Sequence, residues 1–410
     1  MNMKSAKIIE LELKNYKIFN ELKINLGQCN VFVGPNSSGK SSIAEFLIFF
    51  REFIGQFRGK NNSYYDCADF LSNALSIGQD KPLFFKIKMI IGEFSYEYYA
   101  NFSREFNTNT IWANESFTII KIEDKRQVFK GTVDIKVNYP RIEGWTRFQG
   151  LSLGNSQAKI KGNFSYLEQS ILKYIYQNAN KNDISFYIFN QFCEYWNNIR
   201  LYDSNRYDKK KIVEVREVSN DIIISEDFQN LISVLLNINL QQKEVFEEIG
   251  DWLNRLLINF KELKLNIADK RGRGEILFAE VGWPKSQLFP IKWASDGIIR
   301  LMCILAILFN KEKPTLIMLD EPENGFHPAI RKAIVDFSIA ASDDSQLIYI
   351  THDSESLRHF ELEMIYYFNR KRLFTEVKRL SEVDSLTETI KALEDIEKNI
   401  VVSTHSSDSL

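Results

Sequence analysis

Residues 31–42 have the sequence Val-Phe-Val-Gly-Pro-Asn-Ser-Ser-Gly-Lys-Ser-Ser. Gly34 is followed, after a spacer, by Gly39-Lys40-Ser41, and this is the G-x-x-x-x-G-K-S/T pattern of a phosphate-binding loop. The valine-rich apolar run before it, 29–33, predicts a buried strand, and apolar residues at helical spacing over 43–57 predict a helix after it. A strand, a glycine loop and a helix in this order are the context that the motif requires.

The chemistry of this loop follows from its residue types. Gly34 and Gly39 permit a tight backbone turn that points successive amide N–H groups inward, where they can bind an anion. The helix that begins at the end of the loop adds partial positive charge. We expect Lys40 to bridge the β- and γ-phosphates and the Ser41 hydroxyl to bind Mg²⁺. The expected binding residues are Gly34, Pro35, Asn36, Ser37, Ser38, Gly39, Lys40, Ser41 and Ser42. The alternative, a glycine-rich turn that binds nothing, is disfavoured by the strand and helix around it.

Bulk composition sets the class of protein. The chain has 410 residues, enough for two or three domains or for one large α/β domain with an insertion. Hydrophobic residues make up 44%, so a sizeable core is available. The 52 Lys and Arg nearly balance the 54 Asp and Glu, so nucleic-acid binding would need a local basic patch.

Cysteine usage and the lack of long apolar runs favour a cytoplasmic protein that has no membrane partner. Cys29, Cys67, Cys193 and Cys303 are far apart and form no CxxC pair, which is typical of reduced, buried thiols. Residues 1–7 lack the apolar core of a signal peptide, and no run of about 18 apolar residues is present.

The first third of the chain predicts mostly β structure. Residues 8–14 and 22–26 alternate apolar and polar side chains, and we expect them to form a small sheet with strand 29–33. Tyr16, Lys17 and Phe19 on the turn could stack on adenine, but capping of the sheet is favoured. A helix is expected at 66–77, followed by an antiparallel lobe with strands at 84–91, 93–102, 117–122 and 127–137.

The middle of the chain predicts helices, at 164–197 and 225–263, without a long heptad repeat. A globular helical insertion is therefore favoured over a coiled-coil arm. We expect the charged segment 207–211 to be a solvated connection rather than a phosphate contact. The basic tip of a hairpin at 269–274 is expected to be a solvated turn rather than a nucleic-acid contact.

Polar residues in the second half stand at the ends of apolar segments. Ser295 and Gly297 precede an apolar helix, 298–309, and suggest a second anion-binding helix start. The sequence Thr-Leu-Ile-Met-Leu-Asp-Glu-Pro-Glu-Asn, 315–324, predicts a buried strand that ends in two carboxylates. Such charges need a cation or a partner. We therefore expect Asp320 to hold the Mg²⁺ shell and Glu321 to act as general base.

His352 follows another apolar strand, 346–351. The carboxyl ends of strands are where α/β sheets bind ligands, so His352 is expected to contact a γ-phosphate. The alternative is a histidine with a purely structural role.

These motifs, in this order, resemble an ABC-type ATPase head of the branch that includes SMC, RecF and OLD (overcoming lysogenization defect) proteins. Asp-Glu-Pro-Glu-Asn-Gly-Phe-His-Pro, 320–328, and Thr-His-Asp-Ser, 351–354, are most similar to the OLD/AbiEii-like group. The resemblance covers roughly 1–135 and 263–380. It implies an α/β fold, in which a mixed central sheet and an antiparallel β lobe carry a helical insertion. It also implies ATP bound between two heads, with Ser295 and Gly297 of one protomer at the γ-phosphate of the other and His327 near the dimer interface.

Departures from the family pattern are informative. The transporter signature Leu-Ser-Gly-Gly-Gln is replaced by Ala-Ser-Asp-Gly, 294–297, as in OLD-type heads. The glutamine that senses Mg²⁺ is not assigned, and Gln79 and Gln149 are both candidates. The residues after Leu380 are too few for a TOPRIM nuclease domain.

The resemblance implies an ATPase head in two parts, 1–135 and 263–380, a mostly helical insertion, 136–262, and a helix with a flexible tail, 381–410. The leading hypothesis is a cytoplasmic, Mg²⁺-dependent ATPase that forms a homodimer or higher oligomer through its ATP sites. It would act as a switch or scaffold for a separate effector, a nuclease or toxin, in bacterial anti-phage defence. One alternative is a RecF-like repair ATPase that binds DNA directly. A third is a nucleotide-sensing module with negligible turnover.

Overall fold

The structure, a computed structural model, describes residues 6–55, 81–104, 110–138, 141–150, 156–162, 172, 184–267, 272–282, 287–372 and 374–382. The chain forms two compact units, Met1–Ile199 with Leu362–Leu410 and Arg200–Glu361. Outside the described residues lie the predicted helix 66–77, Cys67, Gln79, the start of the predicted helix at 164, residues 269–271 of the predicted hairpin tip and the tail from 383 onward.

The strands and helices are numbered in chain order. The strands are β1 (Lys7–Tyr16), β2 (Phe19–Asn25), β3 (Cys29–Val33), β4 (Leu83–Ile91), β5 (Phe94–Arg104), β6 (Thr110–Lys121), β7 (Gln127–Asn138), β8 (Arg141–Gly150), β9 (Ser156–Gly162), β10 (Ile199–Asp203), β11 (Phe260–Ile267), β12 (Gly274–Glu280), β13 (Phe289–Pro290), β14 (Leu316–Asp320), β15 (Gln346–Thr351), β16 (Ile365–Lys371) and β17 (Phe374–Arg379). The helices are α1 (Lys40–Gly55), α2 (Ile184–Asn197), α3 (Lys209–Ile212), α4 (Leu231–Gln241), α5 (Lys243–Leu256), α6 (Asp296–Phe309), α7 (Pro328–Ala341) and α8 (Ser354–Leu357).

The first unit contains an antiparallel sheet of eight strands in the order β2-β1-β4-β5-β6-β7-β8-β9. Burial alternates along β4, as expected for a sheet with one face on the core and the other toward solvent. An aromatic core forms where α1 and α2 meet the buried face. The Phe50 ring centroid lies 4.6 Å from that of Trp196, 5.1 Å from Tyr98 and 6.0 Å from Phe85.

The strand that leads into the phosphate-binding loop belongs to a different sheet. β3 pairs in parallel with β16, with Val31 opposite Ile365, and β16 pairs antiparallel with β17. The expectation that β1, β2 and β3 form one small sheet was therefore wrong. β3 is buried along its whole length, which suits a strand covered on both faces, whereas β1 and β2 keep a partly exposed face.

Residues 141–150 and 156–162 lie in the region that was expected to be a mostly helical insertion, but they form strands. β8 and β9 extend the antiparallel sheet, with Trp145 opposite both Asp134 and Lys159. Between β9 and β10, the described helical residues are residue 172 and α2, Ile184–Asn197. Gly144, Gly150 and Gly162 lie in or at the ends of these strands, so strand propensity there is weak.

The second unit combines a parallel pair, a small antiparallel sheet and helices. β10, β14 and β15 are neighbours in that order, and β14 pairs in parallel with β15. β11, β12 and β13 form a separate antiparallel sheet. The Phe337 ring of α7 packs 4.9 Å from Phe309 at the end of α6 and 4.6 Å from Trp252 of α5. No helix in the described ranges is long and apolar enough to cross a membrane.

Three cysteines that the structure describes, Cys29, Cys193 and Cys303, are free and buried, as the sequence predicted. Burial raises the pKa of the Cys29 thiol to about 12. This thiol therefore stays protonated at neutral pH, which is typical of an unreactive core residue.

We predict that Phe50→Ala lowers the free energy of unfolding by about 3–5 kcal/mol, because it leaves a cavity among closely packed rings. Phe84→Ala is the matched control, since Phe84 is half-buried on the other face of the same sheet and should cost about 1 kcal/mol or less. Denaturant titration of both variants checks this. Equal losses would contradict the placement of the core.

Candidate functional site

The predicted phosphate-binding loop connects the end of β3 at Val33 to the start of α1 at Lys40. Ser37 and Gly39 have φ of +61° and +97°, in the region that L side chains rarely adopt. Gly34 has φ of +156°, and a Cβ placed there would lie 2.4 Å from the backbone oxygen of Phe368. The loop backbone therefore needs glycine at 34 and 39, as the motif predicts.

Polar groups of this loop fit an anionic ligand. The Ser38 side chain is fully buried, and its Oγ has no hydrogen-bond partner among the described residues. A buried hydroxyl of this kind costs about 1–3 kcal/mol unless a ligand or water binds it. Lys40 is 6% exposed, and its Nζ donates to the carbonyl oxygens of Gly34 at 2.7 Å and Pro35 at 3.0 Å. An ammonium and a hydroxyl donor beside a helix start suit phosphate oxygens.

The contact of β16 with this loop was not predicted from sequence. Arg370 Nη1 donates to the carbonyl oxygen of Ser37 at 2.7 Å, and Gly34 packs against the backbone of Phe368. Arg370 and Ser37 lie 333 positions apart, and no local motif marks either as a partner of the other. The strained Ser37 is thus held from a distant part of the chain within the same unit.

Tyr16, Lys17 and Phe19 contact α1 and Gly39, and neither ring is exposed for stacking. Tyr16 is fully buried with its ring 5.6 Å from Phe46, and Phe19 is 1% exposed. The Lys17 ammonium pairs with Glu45 of α1. A Cβ on Gly39 would lie 2.7 Å from Phe19 Cζ, so the Phe19 ring packs directly against this glycine.

The two predicted carboxylates lie where the parallel strands of the second unit end. β14 ends at Asp320, which is opposite Ile350 of β15. Glu321 follows with φ of +52°, and its N–H donates to the carbonyl oxygen of Ile350 at 2.9 Å. His352 Nδ1 donates to Glu321 Oε1 at 2.7 Å. The structure thus brings together the predicted base and the predicted histidine.

Both side chains of this pair remain accessible, with 37% of His352 and 23% of Glu321 exposed. Asn324 Nδ2 lies 3.5 Å from the second carboxylate oxygen of Glu321. Asp320 is half-buried and lines a cavity of about 30 Å³ together with Tyr207 and Arg300. This is room for about two water molecules beside Asp320.

The predicted second anion site is the start of α6. Ser295 caps this helix and its side chain accepts from Ile298 N at 3.4 Å. Gly297 is not at positive φ, and the nearest atom to a Cβ placed there would be Phe326 Cε1 at 3.8 Å. Neither backbone conformation nor a neighbouring atom in the described chain therefore requires a glycine at this position. A glycine would also allow a ligand to approach the backbone closely.

The segment 207–211 is more than a solvated connection. Lys209 Nζ donates to the carbonyl oxygen of Ala294 at 2.7 Å and pairs with Asp296 Oδ1 at 3.2 Å. The Tyr207 hydroxyl donates to the backbone oxygen of Asp296 at 3.3 Å. Burial raises the pKa of Tyr207, which keeps this donor protonated. Lys209 and Tyr207 thus brace the residues on both sides of Ser295.

The remaining predicted residues are placed as follows. His327 caps α7, and its Nδ1 accepts from Ala329 N at 3.4 Å. Gln149 lies in β8, and Gln79 lies outside the described residues. The Mg²⁺-sensing glutamine stays unassigned.

Comparison with known proteins supports the predicted resemblance. The model of the family described as "AAA domain, putative AbiEii toxin, Type IV TA system" matches residues 29–358, which include the phosphate-binding loop, Glu321 and His352. No curated protein sequence matches the chain significantly.

Solved structures similar to the chain include SMC heads. The SmcHead bound to the C-winged helix domain of ScpA is 15% identical with a TM-score of 0.46, over 94% of this chain and 99% of that one. An Smc head with an extended coiled coil from Pyrococcus furiosus, bound to the C-terminal domain of ScpA, is 14% identical with a TM-score of 0.46, over 96% and 100%. The SMC head from Thermotoga maritima is 12% identical with a TM-score of 0.38, over 91% and 98%.

We predict that Gly34→Ala lowers the free energy of unfolding by about 2–4 kcal/mol and abolishes binding of a fluorescent ATP analogue, because the new Cβ meets a backbone oxygen. Gly92→Ala is the control, since Gly92 has φ of +57° but no atom within 4 Å of a new Cβ. It should cost about 1 kcal/mol and leave binding intact. Unchanged binding in Gly34→Ala would contradict the role of this loop.

Proposed function

The chain belongs to the family of AAA domains described as putative AbiEii toxins, and on this premise we propose that it is an ATP-hydrolysing switch that dimerises on ATP. The observation that carries the proposal is the contact between Glu321 and His352 at the end of a buried strand. A carboxylate there, oriented by an imidazole and still accessible, is suited to polarise a water molecule.

The loop of the first unit supplies the groups that would bind the triphosphate. Lys40 and the backbone N–H groups of the loop, which Pro35 lacks, would neutralise and orient the phosphate oxygens, and the buried Ser38 hydroxyl would gain a partner. Ser41, exposed at the start of α1, and Asp320 would hold Mg²⁺. When bound, this ion neutralises charge that develops on the phosphates.

Glu321 would act as the general base, and His352 would orient it and contact the γ-phosphate. His352 has two ring nitrogens, and Nδ1 is the one that donates to Glu321. The Nε2 side of the ring is therefore the side that a phosphate oxygen would meet.

We also propose that a second copy of the chain completes the site through Ser295 and Gly297. The start of α6 offers backbone amides and a helix dipole to an anion, and Gly297 leaves room for close approach. The bracing by Lys209 and Tyr207 holds this segment in one conformation, which lowers the entropy lost on binding.

The biological role that we propose is anti-phage defence together with a separate effector, a nuclease or toxin. The family description names a putative toxin and a toxin–antitoxin system, and this supports a role beside a partner protein. Purification of the native complex with ATP present, followed by identification of bound proteins, tests it. Recovery of this chain alone would contradict the proposal of an effector partner.

We predict that Glu321→Gln lowers the steady-state ATPase rate by about 10²- to 10⁴-fold while ATP still binds, because the base is lost and the loop is intact. Lys40→Ala should lose both binding and turnover. Glu280→Gln is the matched control, since Glu280 ends another strand of the same unit and should keep the wild-type rate. Equal turnover in wild type, Glu321→Gln and Lys40→Ala would contradict the proposed activity.

A further inference from the structure

A third acidic residue of the segment after β14 is buried. Glu323 is 2% exposed, which is unusual for a glutamate. Its Oε2 accepts from the Tyr349 hydroxyl at 2.8 Å, and its Oε1 accepts from the Thr351 hydroxyl. Burial of a carboxylate is costly unless such donors satisfy it. Neither sequence motif nor proposed mechanism assigns this group a role.

Both donors lie on β15, two residues apart, so their side chains point to the same face of the strand. Between them lies Ile350, whose carbonyl oxygen accepts the Glu321 N–H. Three consecutive residues of β15 thus hold the segment 321–323, two through their side chains and one through its backbone.

The same contacts fix the backbone on both sides of His352. Besides donating to Glu323, the Thr351 hydroxyl accepts from Asp353 N at 2.9 Å. Asp353 in turn pairs with Arg331 at 3.2 Å and accepts from Ser356 Oγ at 2.6 Å. The Thr351 hydroxyl therefore contacts the residue after His352 as well as Glu323, so it links both neighbours of His352 to the buried carboxylate.

Glu321 needs such support because its backbone is strained. A non-glycine residue in the left-handed region costs on the order of 1–2 kcal/mol and persists only where its surroundings enforce it. The Glu323 side chain anchors the chain two residues after Glu321, and the bond to Ile350 anchors Glu321 itself.

We infer that Glu323 is a positioning residue that holds Glu321 and His352 at the separation needed for ATP hydrolysis. This role rests on the proposed function. A carboxylate suits it because each oxygen accepts from one hydroxyl, whereas a glutamine offers one acceptor and one donor group. Burial raises the pKa of Glu323, and the two hydroxyl donors oppose that rise.

The test compares single-turnover ATP hydrolysis in Glu323→Gln, Glu321→Gln and the double variant. We expect Glu323→Gln to lower the rate about 10- to 100-fold with ATP affinity unchanged, since small displacements of reacting groups have effects of this size. The double variant should lose less relative to Glu321→Gln than Glu323→Gln loses relative to wild type, because part of the effect of Glu323 passes through Glu321. Thr351→Ser should keep most of the rate and Thr351→Val should lose it, because only serine retains the hydroxyl.

Wild-type turnover in Glu323→Gln, or a further loss in the double variant equal to that in the single one, would overturn this role. If Glu323→Gln does not fold, the Thr351 pair decides: equal rates for serine and valine would overturn the role. Wild-type turnover in Glu321→Gln would instead overturn the proposed function, and this role with it.

Discussion

The hydrogen bond between His352 and Glu321 depends on two strands ending at the same level. β14 and β15 are parallel and in register, so the residues that follow them emerge side by side although they lie 31 positions apart. Apolar side chains bury both strands along nearly their whole length, and this burial fixes the register. A slip of one strand would move His352 from the carboxylate.

Both parts of the proposed site contain one of the seven non-glycine residues that have positive φ in the described chain. Ser37 in the phosphate-binding loop and Glu321 after β14 are both non-glycine residues at positive φ. Each is held by a contact to another part of its own unit, Ser37 by Arg370 and Glu321 by the backbone of Ile350. Such residues are typical of sites in which geometry has been fixed at the expense of stability. The phosphate-binding loop and the segment after β14 thus each contain a strained residue that is held by a contact from elsewhere in the same unit.

Local patterns predicted what depends on local sequence. Apolar runs predicted the bounds of β3 and β15. The motif residues at the ends of such runs singled out the loop glycines, Glu321 and His352. Strand pairing could not be predicted from local patterns, because β3 pairs with β16, which lies near the other end of the sequence. Arg370 and Lys209 carry no motif, and only the tertiary fold shows that they contact the loop and the start of α6. β8 and β9 were missed because glycines weaken their pattern.

We propose that two copies of the chain share each ATP site, to which one contributes Lys40 and the other Ser295. A mixing experiment tests it directly. Lys40→Ala and Ser295→Arg should each be inactive, whereas their equimolar mixture contains pairs with one intact site and should regain about a quarter of the wild-type ATPase rate if pairs form at random. A mixture no more active than its separate components would contradict the claim.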